Sequence, residues 1–408
     1  DGEYTIFYWA EDRAENIEGE KEIFFRVDIA RPTSEITFPE GGEYYNAESW
    51  KGEVRGTATD SLSGVAQVEV EVVGREIGDS QLENPGALET GWSYSLEFAE
   101  DGSNDGRYTV RSRATDVAGN QESTVEANFT YDSTPPTSEV DDVEDHYVNE
   151  GELGSGVSLS FTTEDNIVLD RIRLYKRYIW QGEVTDWDYH SWKRLSGAYD
   201  EGVLNVWTLS REGRWEFTSS AVDRAENREE LHGEADTWII YDIASPATKA
   251  KLFGEEGQDG WYVSPLTLRL FADDTKPGIE VSGVSQTWVS YRLSGEQNYH
   301  TLKYDSENPL VFSDGVWEIV FWSEDKAGNK EDSRELVLRI DTTDPASQIT
   351  SVADGLFYND TSWPGVFGTA SDSYSGVYKV EVRVDKDGEE GEWAVAEGED
   401  EWDLTFDP

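Results

Sequence analysis

The sequence predicts an all-β protein, built as a tandem array of small sandwich domains. Three observations carry that prediction. The motif Asp-x-Ala-Gly/Glu-Asn occurs four times, at Asp12–Asn16, Asp116–Asn120, Asp223–Asn227 and Asp325–Asn329, in steps of 104, 107 and 102 residues. A second motif, Asp-x-x-x-Pro, follows each copy after 16 to 19 residues, at Asp28–Pro32, Asp132–Pro136, Asp242–Pro246 and Asp341–Pro345. Between them, short runs alternate apolar and polar residues and are broken by Gly, Asp, Asn and Ser, as strands with one solvated face are. The period matches the size of one small domain, so the chain reads as an array of it.

The elements follow in order. In the second repeat Val68-Glu69-Val70-Glu71-Val72 alternates strictly, as does Tyr108-Thr109-Val110-Arg111-Ser112-Arg113-Ala114. No amphipathic helix of three turns is predicted anywhere. The start of the second repeat (Ser34, Tyr45-Asn46, Ser49-Trp50, Gly56 to Ser61, Ser63-Gly64-Val65) recurs near the end of the chain (Ser347, Tyr358-Asn359, Ser362-Trp363, Gly368 to Ser373, Ser375-Gly376-Val377). The third repeat carries a long aromatic stretch (Tyr175, Tyr178, Trp180, Trp187, Tyr189, Trp192), and the fourth an insert before Ser282-Gly283-Val284.

Both ends align inside the repeat. Asp1-Gly2-Glu3-Tyr4 matches Asp105-Gly106-Arg107-Tyr108, and Trp402 to Phe406 matches Tyr94 to Phe98. The expected division is therefore 1–32 as the closing strands of one repeat, 33–136, 137–246 and 247–345 as whole repeats, and 346–408 as the opening part of another. Two readings of the ends stand open: a window of mature or internal sequence from a longer array, or a subunit whose N-terminal hairpin completes the C-terminal part-domain of the next. Strand donation of that kind would cover open sheet edges and apolar faces.

Composition narrows the function. The chain has 86 acidic and 33 basic residues, a net charge of −53, which makes nucleic acid and anionic membrane surfaces poor partners. Such acidity fits life in high salt, where the Debye length falls to ~3 Å at 1 M, or carboxylates that hold divalent cations. There are no cysteines, which excludes disulfides and thiolate metal sites. No apolar run approaches the ~18 residues of a membrane span. Four scattered histidines (His146, His190, His232, His300) and the lack of a phosphate loop leave no catalytic signature.

The repeat endings resemble those of the immunoglobulin-like repeat domains of bacterial and archaeal cell-surface proteins, whose usual ending is an alternating strand, then Thr/Ser-x-Asp-x-Ala-Gly-Asn, another strand, then Asp-x-Thr-x-Pro. Ala114 to Asn120 with Asp132 to Pro136 fits that pattern, as does Ser323 to Asn329 with Asp341 to Pro345. Glu15 and Glu226 depart from it by replacing the Gly, which puts the turn geometry there in question. The resemblance implies a tandem array of immunoglobulin-like β-sandwich domains in an extended chain, located extracellularly at the cell surface. The roles it implies are structural (stalk, filament, sheath or surface-layer component) or those of an adhesin or carbohydrate-binding array. Its implied partners are further repeats, copies of itself, or a surface saccharide.

In such a sandwich the loop between the second and third strands lies at the pole that holds the Asp-x-Ala-Gly-Asn loop and receives the incoming linker. The predicted junction groups are Asp28, Asp60, Asp116 and Asn120; Asp132, Asp165, Asp223 and Asn227; and Asp242, Asp273, Asp325 and Asn329, with Asp341 and Asp372 beginning a fourth. Three carboxylates and an amide are oxygen ligands of the kind calcium takes. The competing reading is that Asp and Asn cap turns through their own backbone and Pro ends a strand. No loop has the dense pattern of an autonomous calcium site. The aromatics from Tyr175 to Trp192 offer a saccharide-stacking platform or core and cross-strand pairs. Asn128 and Asn359 stand in N-glycosylation acceptor triplets.

Overall fold

The computed structural model describes residues 1–406. Strands dominate it, and one short helix, Glu150–Ser155, is held by a capping box between Asn149 and Glu152. In the second repeat, one sheet pairs Thr33–Phe38, Glu53–Thr59, Glu89–Ser95 and Gln81–Leu82 in that order. The facing sheet runs Tyr44–Tyr45, Val125–Tyr131, Gly106–Asp116, Val65–Val72 and Glu76–Asp79, and Tyr44–Tyr45 pairs parallel to Val125–Tyr131. The third repeat sets Thr137–Val140, Val157–Glu164 and Tyr199–Val206 against a sheet around Leu169–Trp180 and Gly213–Asp223. The fourth sets Ala247–Phe253, Leu266–Asp273 and Leu310–Phe312 against a sheet around Val284–Leu293 and Gly315–Asp325. The chain is thus all-β, a tandem series of two-sheet sandwiches.

Period-two alternation builds each core. Val68, Val70 and Val72 face inward with Val110 and Ala114, while Glu69 and Glu71 lie on the solvent side opposite Arg113 and Arg111. Gly56 is demanded by close packing. A Cβ there would stand 2.1 Å from the Glu35 carbonyl oxygen and 2.2 Å from the Trp92 ring. The aligned Gly368 is crossed in the same way by Gln348 and Trp402, so strand register aligns Trp402 with Trp92 and corrects the match to Tyr94 by two residues. Gly56→Ala should therefore destabilise the second repeat by about 1–3 kcal/mol, the usual cost of forcing atoms into a full core. Differential scanning calorimetry of the whole chain would register it as an earlier transition of one domain.

In the three whole repeats, a glutamate six residues after the first Asp of the Asp-x-Ala-x-Asn copy ties the two sheets together. Glu229 accepts hydrogen bonds from Ser138 N (2.9 Å), Ser138 Oγ (2.5 Å) and Ala221 N (2.9 Å). Glu122 does the same with Ser34 N, Ser34 Oγ and Ala114 N, and Glu331 with Thr248 N, Thr248 Oγ1 and Ser323 N. Each carboxylate joins the first strand of its repeat to the strand that leads into the motif loop.

The questioned turns keep the glycine geometry. Glu15 and Glu226 take φ of 69° and 72°, beside 91° and 81° at Gly119 and Gly328. Glu226 gains a compensating partner in Arg171, whose guanidinium contacts both of its carboxylate oxygens. At the N-terminus, Gly2–Tyr8 and Lys21–Val27 form a two-stranded hairpin with exposed Ile6, Phe7 and Phe24. Residues 346–406 carry a three-stranded sheet (Ala346–Ile349, Val366–Ser371, Glu401–Leu404) and a small cluster around Val366, Val380 and Trp402.

Candidate metal centres at the domain junctions

Each junction draws side chains from three places: the linker that enters the repeat, the first residue beyond the repeat's second long strand, and the Asp-x-Ala-x-Asn loop. The linker is fixed by a second repeated device, an acidic residue just before Gly. Asp1, Asp105, Glu212 and Asp314 accept a hydrogen bond from the backbone N–H of Ile29, Ser133, Ile243 and Thr342, each the residue after the linker Asp. Asp105 also accepts from Thr134 Oγ1 and from Asn166 Nδ2 of the following repeat.

Three carboxylate groups result: Asp28, Asp60 and Asp116; Asp132, Asp165 and Asp223; and Asp242, Asp274 and Asp325. Within each group one oxygen per residue lies within 4.8 Å of the others. Asp274 stands where Asp273 was expected. Leu266–Asp273 ends its strand with Asp273 pointing to solvent, where its carboxylate accepts from Thr275. Asp274 is the first residue past the strand, the place Asp60 and Asp165 hold after Glu53–Thr59 and Val157–Glu164. Asp341 and Asp372 both accept from Ser375 N–H, and no third carboxylate joins them among the described residues.

The three asparagines place their side-chain nitrogens at the junctions in one repeated way. The side-chain nitrogen of Asn120 donates to the Asp28 carbonyl oxygen (3.1 Å) and to Asp116 Oδ2 (2.7 Å). Asn227 bridges Asp132 and Asp223, and Asn329 bridges Asp242 and Asp325, in the same way. The amide nitrogen thus joins the linker backbone to the loop carboxylate and orients the acids, while the side-chain oxygen, the atom a cation would take, is left out of these bonds.

The second junction is the most buried. Asp132 and Asp223 are fully enclosed and Asp165 nearly so. Asp132 Oδ2 and Asp165 Oδ1 are buried without any hydrogen-bond partner. For Asp132 the cause is the loop from Asp165 to Leu169, one residue shorter than Asp60 to Val65 and Asp372 to Val377 and without the insert of Asp274 to Val284. At the other junctions Ser63, Ser282 or Ser375 donates its N–H to the linker Asp, and between Asp165 and Leu169 no such serine exists. Burial, with the neighbouring carboxylates, pushes Asp132 up to about 8 and Asp223 up to about 7. Burial also raises Asp165 and Asp325, and it lifts Asp274 to about 6. At Asp60 burial acts upward too, but the N–H groups of Leu62 and Gly64 outweigh it and leave this acid below its usual range. Asp60 Oδ1 is a further buried oxygen with no partner.

Three ionised carboxylates this close repel by on the order of 10 kcal/mol even at an effective dielectric of about 20. That rivals the whole stability of a domain. A proton or a cation must therefore sit among them. Hard oxygen donors without histidine or thiolate suit calcium or magnesium rather than zinc. Two oxygens on opposite sides of one calcium lie about 4.8 Å apart, so the observed spacing admits the ion.

Asn128 is an exposed strand residue whose side-chain oxygen accepts from Thr109. Asn359 caps an exposed turn by accepting from Thr361 N and Ser362 N. The aromatic stretch divides: Tyr178 is buried against Trp215, Trp180 follows it on the same face at the exposed strand end, and Tyr189 and Trp192 are exposed.

No family model matches the chain, and no curated protein matches it. Among solved structures it is similar to a Ca2+-stabilized adhesin with which an Antarctic bacterium reaches out and binds ice. That likeness covers 93% of this chain and 91% of that one, at 16% identity and a TM-score of 0.37. A tetra-tandem repeat from the extending region of a large adhesion protein matches over 84% and 82%, at 17% identity and a TM-score of 0.28. A structure concerned with host cell surface retention of a 1.5-MDa bacterial ice-binding adhesin matches over 78% and 100%, at 16% identity and a TM-score of 0.33. Likeness at this level concerns architecture and leaves ligands to be argued from the chain itself.

Proposed function

We propose that this chain is an extension segment of a cell-surface adhesin, in which β-sandwich domains stand end to end and a calcium ion at each junction stiffens the line. The observation that carries the reading is the second junction, where Asp132, Asp165 and Asp223 converge with two buried oxygens unpartnered. Each of the three acids belongs to a different segment, the linker, the loop after the second strand and the motif loop. A cation held by all three fixes the linker to the next domain and removes the hinge. Sites of this kind fill outside the cell, where calcium is plentiful; extracellular modules bind it at about 10⁻⁴–10⁻³ M. The partners are then further repeats of the same array, and the domain boundaries given by the repeat are the hinges that calcium locks.

Small-angle X-ray scattering of residues 1–408 tests this. Millimolar calcium should give a long, narrow particle, and excess EDTA a shorter and broader distribution of end-to-end distances. Superimposable curves in the two states would sink the proposal. A second reading, a saccharide-binding module, is favoured by the exposed Tyr189 and Trp192 of the third repeat.

A further inference from the structure

On a protein of net charge −53, one open face carries an excess positive charge beside aromatic rings. It lies on the third repeat, where Leu169–Trp180 pairs with Asp188–Arg194, in a groove of about 520 Å3. Arg171 faces Arg194 across the strands, Arg173 faces Trp192, and Tyr175 faces Tyr189. Tyr175 and Tyr189 meet edge to face at 6.1 Å, and Trp192 is 53% exposed.

Charge accounting isolates one residue. Arg171 pairs with Asp170 and Glu226, and Arg194 shares Asp170, so two cations meet two anions. Arg173 has no carboxylate within ion-pair distance among the described residues, and neither the Trp192 indole N–H nor the Tyr175 and Tyr189 hydroxyls have a hydrogen-bond partner there. The sister repeats show what this position ordinarily holds. Counting back from the motif Asp, Arg173 opposite Ser220 and Tyr175 opposite Thr218 correspond in the second repeat to Glu69 opposite Arg113 and Glu71 opposite Arg111. Those are closed ion pairs. In the fourth repeat the first of these positions holds the stacked rings of Trp288 and Trp322. Among the described residues of these three repeats, the third alone sets an arginine there opposite a hydroxyl, near the Glu226 carboxylate that Arg171 already holds but outside any ion pair.

We infer that this face binds an acidic sugar, a pyranose ring carrying one carboxylate or sulfate, with the anion on Arg173 and the ring against Trp192. An arginine presents a planar fork that matches either anion. An exposed indole and an edge-on tyrosine pair supply a flat apolar wall with polar groups at its rim. Three arginines against the two carboxylates of Asp170 and Glu226 leave a surplus of one charge, which suits a singly charged sugar residue. The surrounding acidity repels a dense polyanion such as nucleic acid. This inference goes beyond the array reading and does not depend on it, since it concerns a face away from the junction carboxylates.

Isothermal titration calorimetry of residues 1–408 tests it, run in EDTA so that no shared calcium can bridge ligand and protein. Mildly acidic buffer keeps the cation-free chain folded. The titrants are digalacturonate, its neutral methyl ester, a monosulfated galactose disaccharide and oligothymidylate. Heat is expected from at least one acidic sugar and none from the ester, and the tighter of the two identifies carboxylate or sulfate as the natural anion. Arg173→Ala should weaken binding about ten- to a hundredfold, as loss of a charged hydrogen-bonded pair does. Arg173→Lys should fall between, and Trp192→Ala should weaken binding with the melting temperature unchanged. Silence from both acidic sugars, equal binding of the ester, insensitivity to Arg173→Ala, or tighter binding of oligothymidylate would each overturn the inference.

Discussion

Calcium should raise the melting temperature of the chain, and in its absence stability should fall as the pH rises. Asp132, Asp223 and Asp274 carry pKa values pushed up to about 8, 7 and 6 from an ordinary 3.8. An acid raised in this way keeps its proton in the folded chain after the unfolded chain has released it. Folding therefore takes up protons between about pH 4 and pH 8, and the cation-free chain loses stability across that window. Asp60 and Asp341, which the fold holds below the ordinary range, act in the opposite sense only on the acid side of it. A cation replaces the proton and cancels the loss. At a hundred times its dissociation constant, each site contributes about 2.7 kcal/mol. For a domain of this size that corresponds to roughly 10 °C or more in melting temperature per junction.

The variant Asp132→Asn gives the test a sign. Its amide nitrogen can occupy the place of Oδ2, which has no partner now, and donate toward the unpartnered Asp165 Oδ1. In EDTA near pH 8 the variant should melt above the parent, because one charge of the triad is gone. In calcium it should melt below the parent, because one ligand is gone. Thermal melts in both buffers check this. A variant that melts lower in both would mean that Asp132 serves the turn alone.

Glu229→Ala should be the most damaging single substitution in the third repeat, costing about 3–5 kcal/mol. The change strands the N–H groups of Ser138 and Ala221 in the interior, where the glutamate now accepts from both. Leaving a buried donor unsatisfied costs about 1–3 kcal/mol apiece, and a hydrogen bond to a charged acceptor is worth more than a neutral one. The cavity left by the side chain adds to that. Equilibrium unfolding in urea should show the third repeat melting first. A loss below about 1 kcal/mol would place the carboxylate among ordinary surface groups.

The two motifs and the alternating runs made the sandwich array legible, and loop topology made the junction pole legible down to most of its aspartates. The fourth repeat was misread by one residue because Asp273 and Asp274 are neighbours. Only strand register, which turns one to solvent and the other to the pole, separates them. The sheet-bridging glutamates Glu122, Glu229 and Glu331 stand at a fixed spacing from the motif Asp, as does Glu18, which has no second sheet to bridge. The spacing does not reveal their purpose, since Ser138 lies 91 residues from Glu229. Arg173 needed the same information. Its open charge is defined by what stands opposite it on two neighbouring strands, and sequence spacing does not reveal cross-strand partners.

The sheet-bridging glutamate also decides how the array meets a pull. Tension along the chain enters the third repeat through Pro136 and reaches Ser138 two residues later, where Glu229 grips the incoming strand from the opposite sheet. If calcium locks the hinges as proposed, the first bonds loaded are the ones that hold each domain's own halves together. The tether then behaves as a line of beads that yields inside the bead and not at the knots. In the third repeat Glu229 shares that load with the ladder from Thr137–Val140 to Phe161–Glu164.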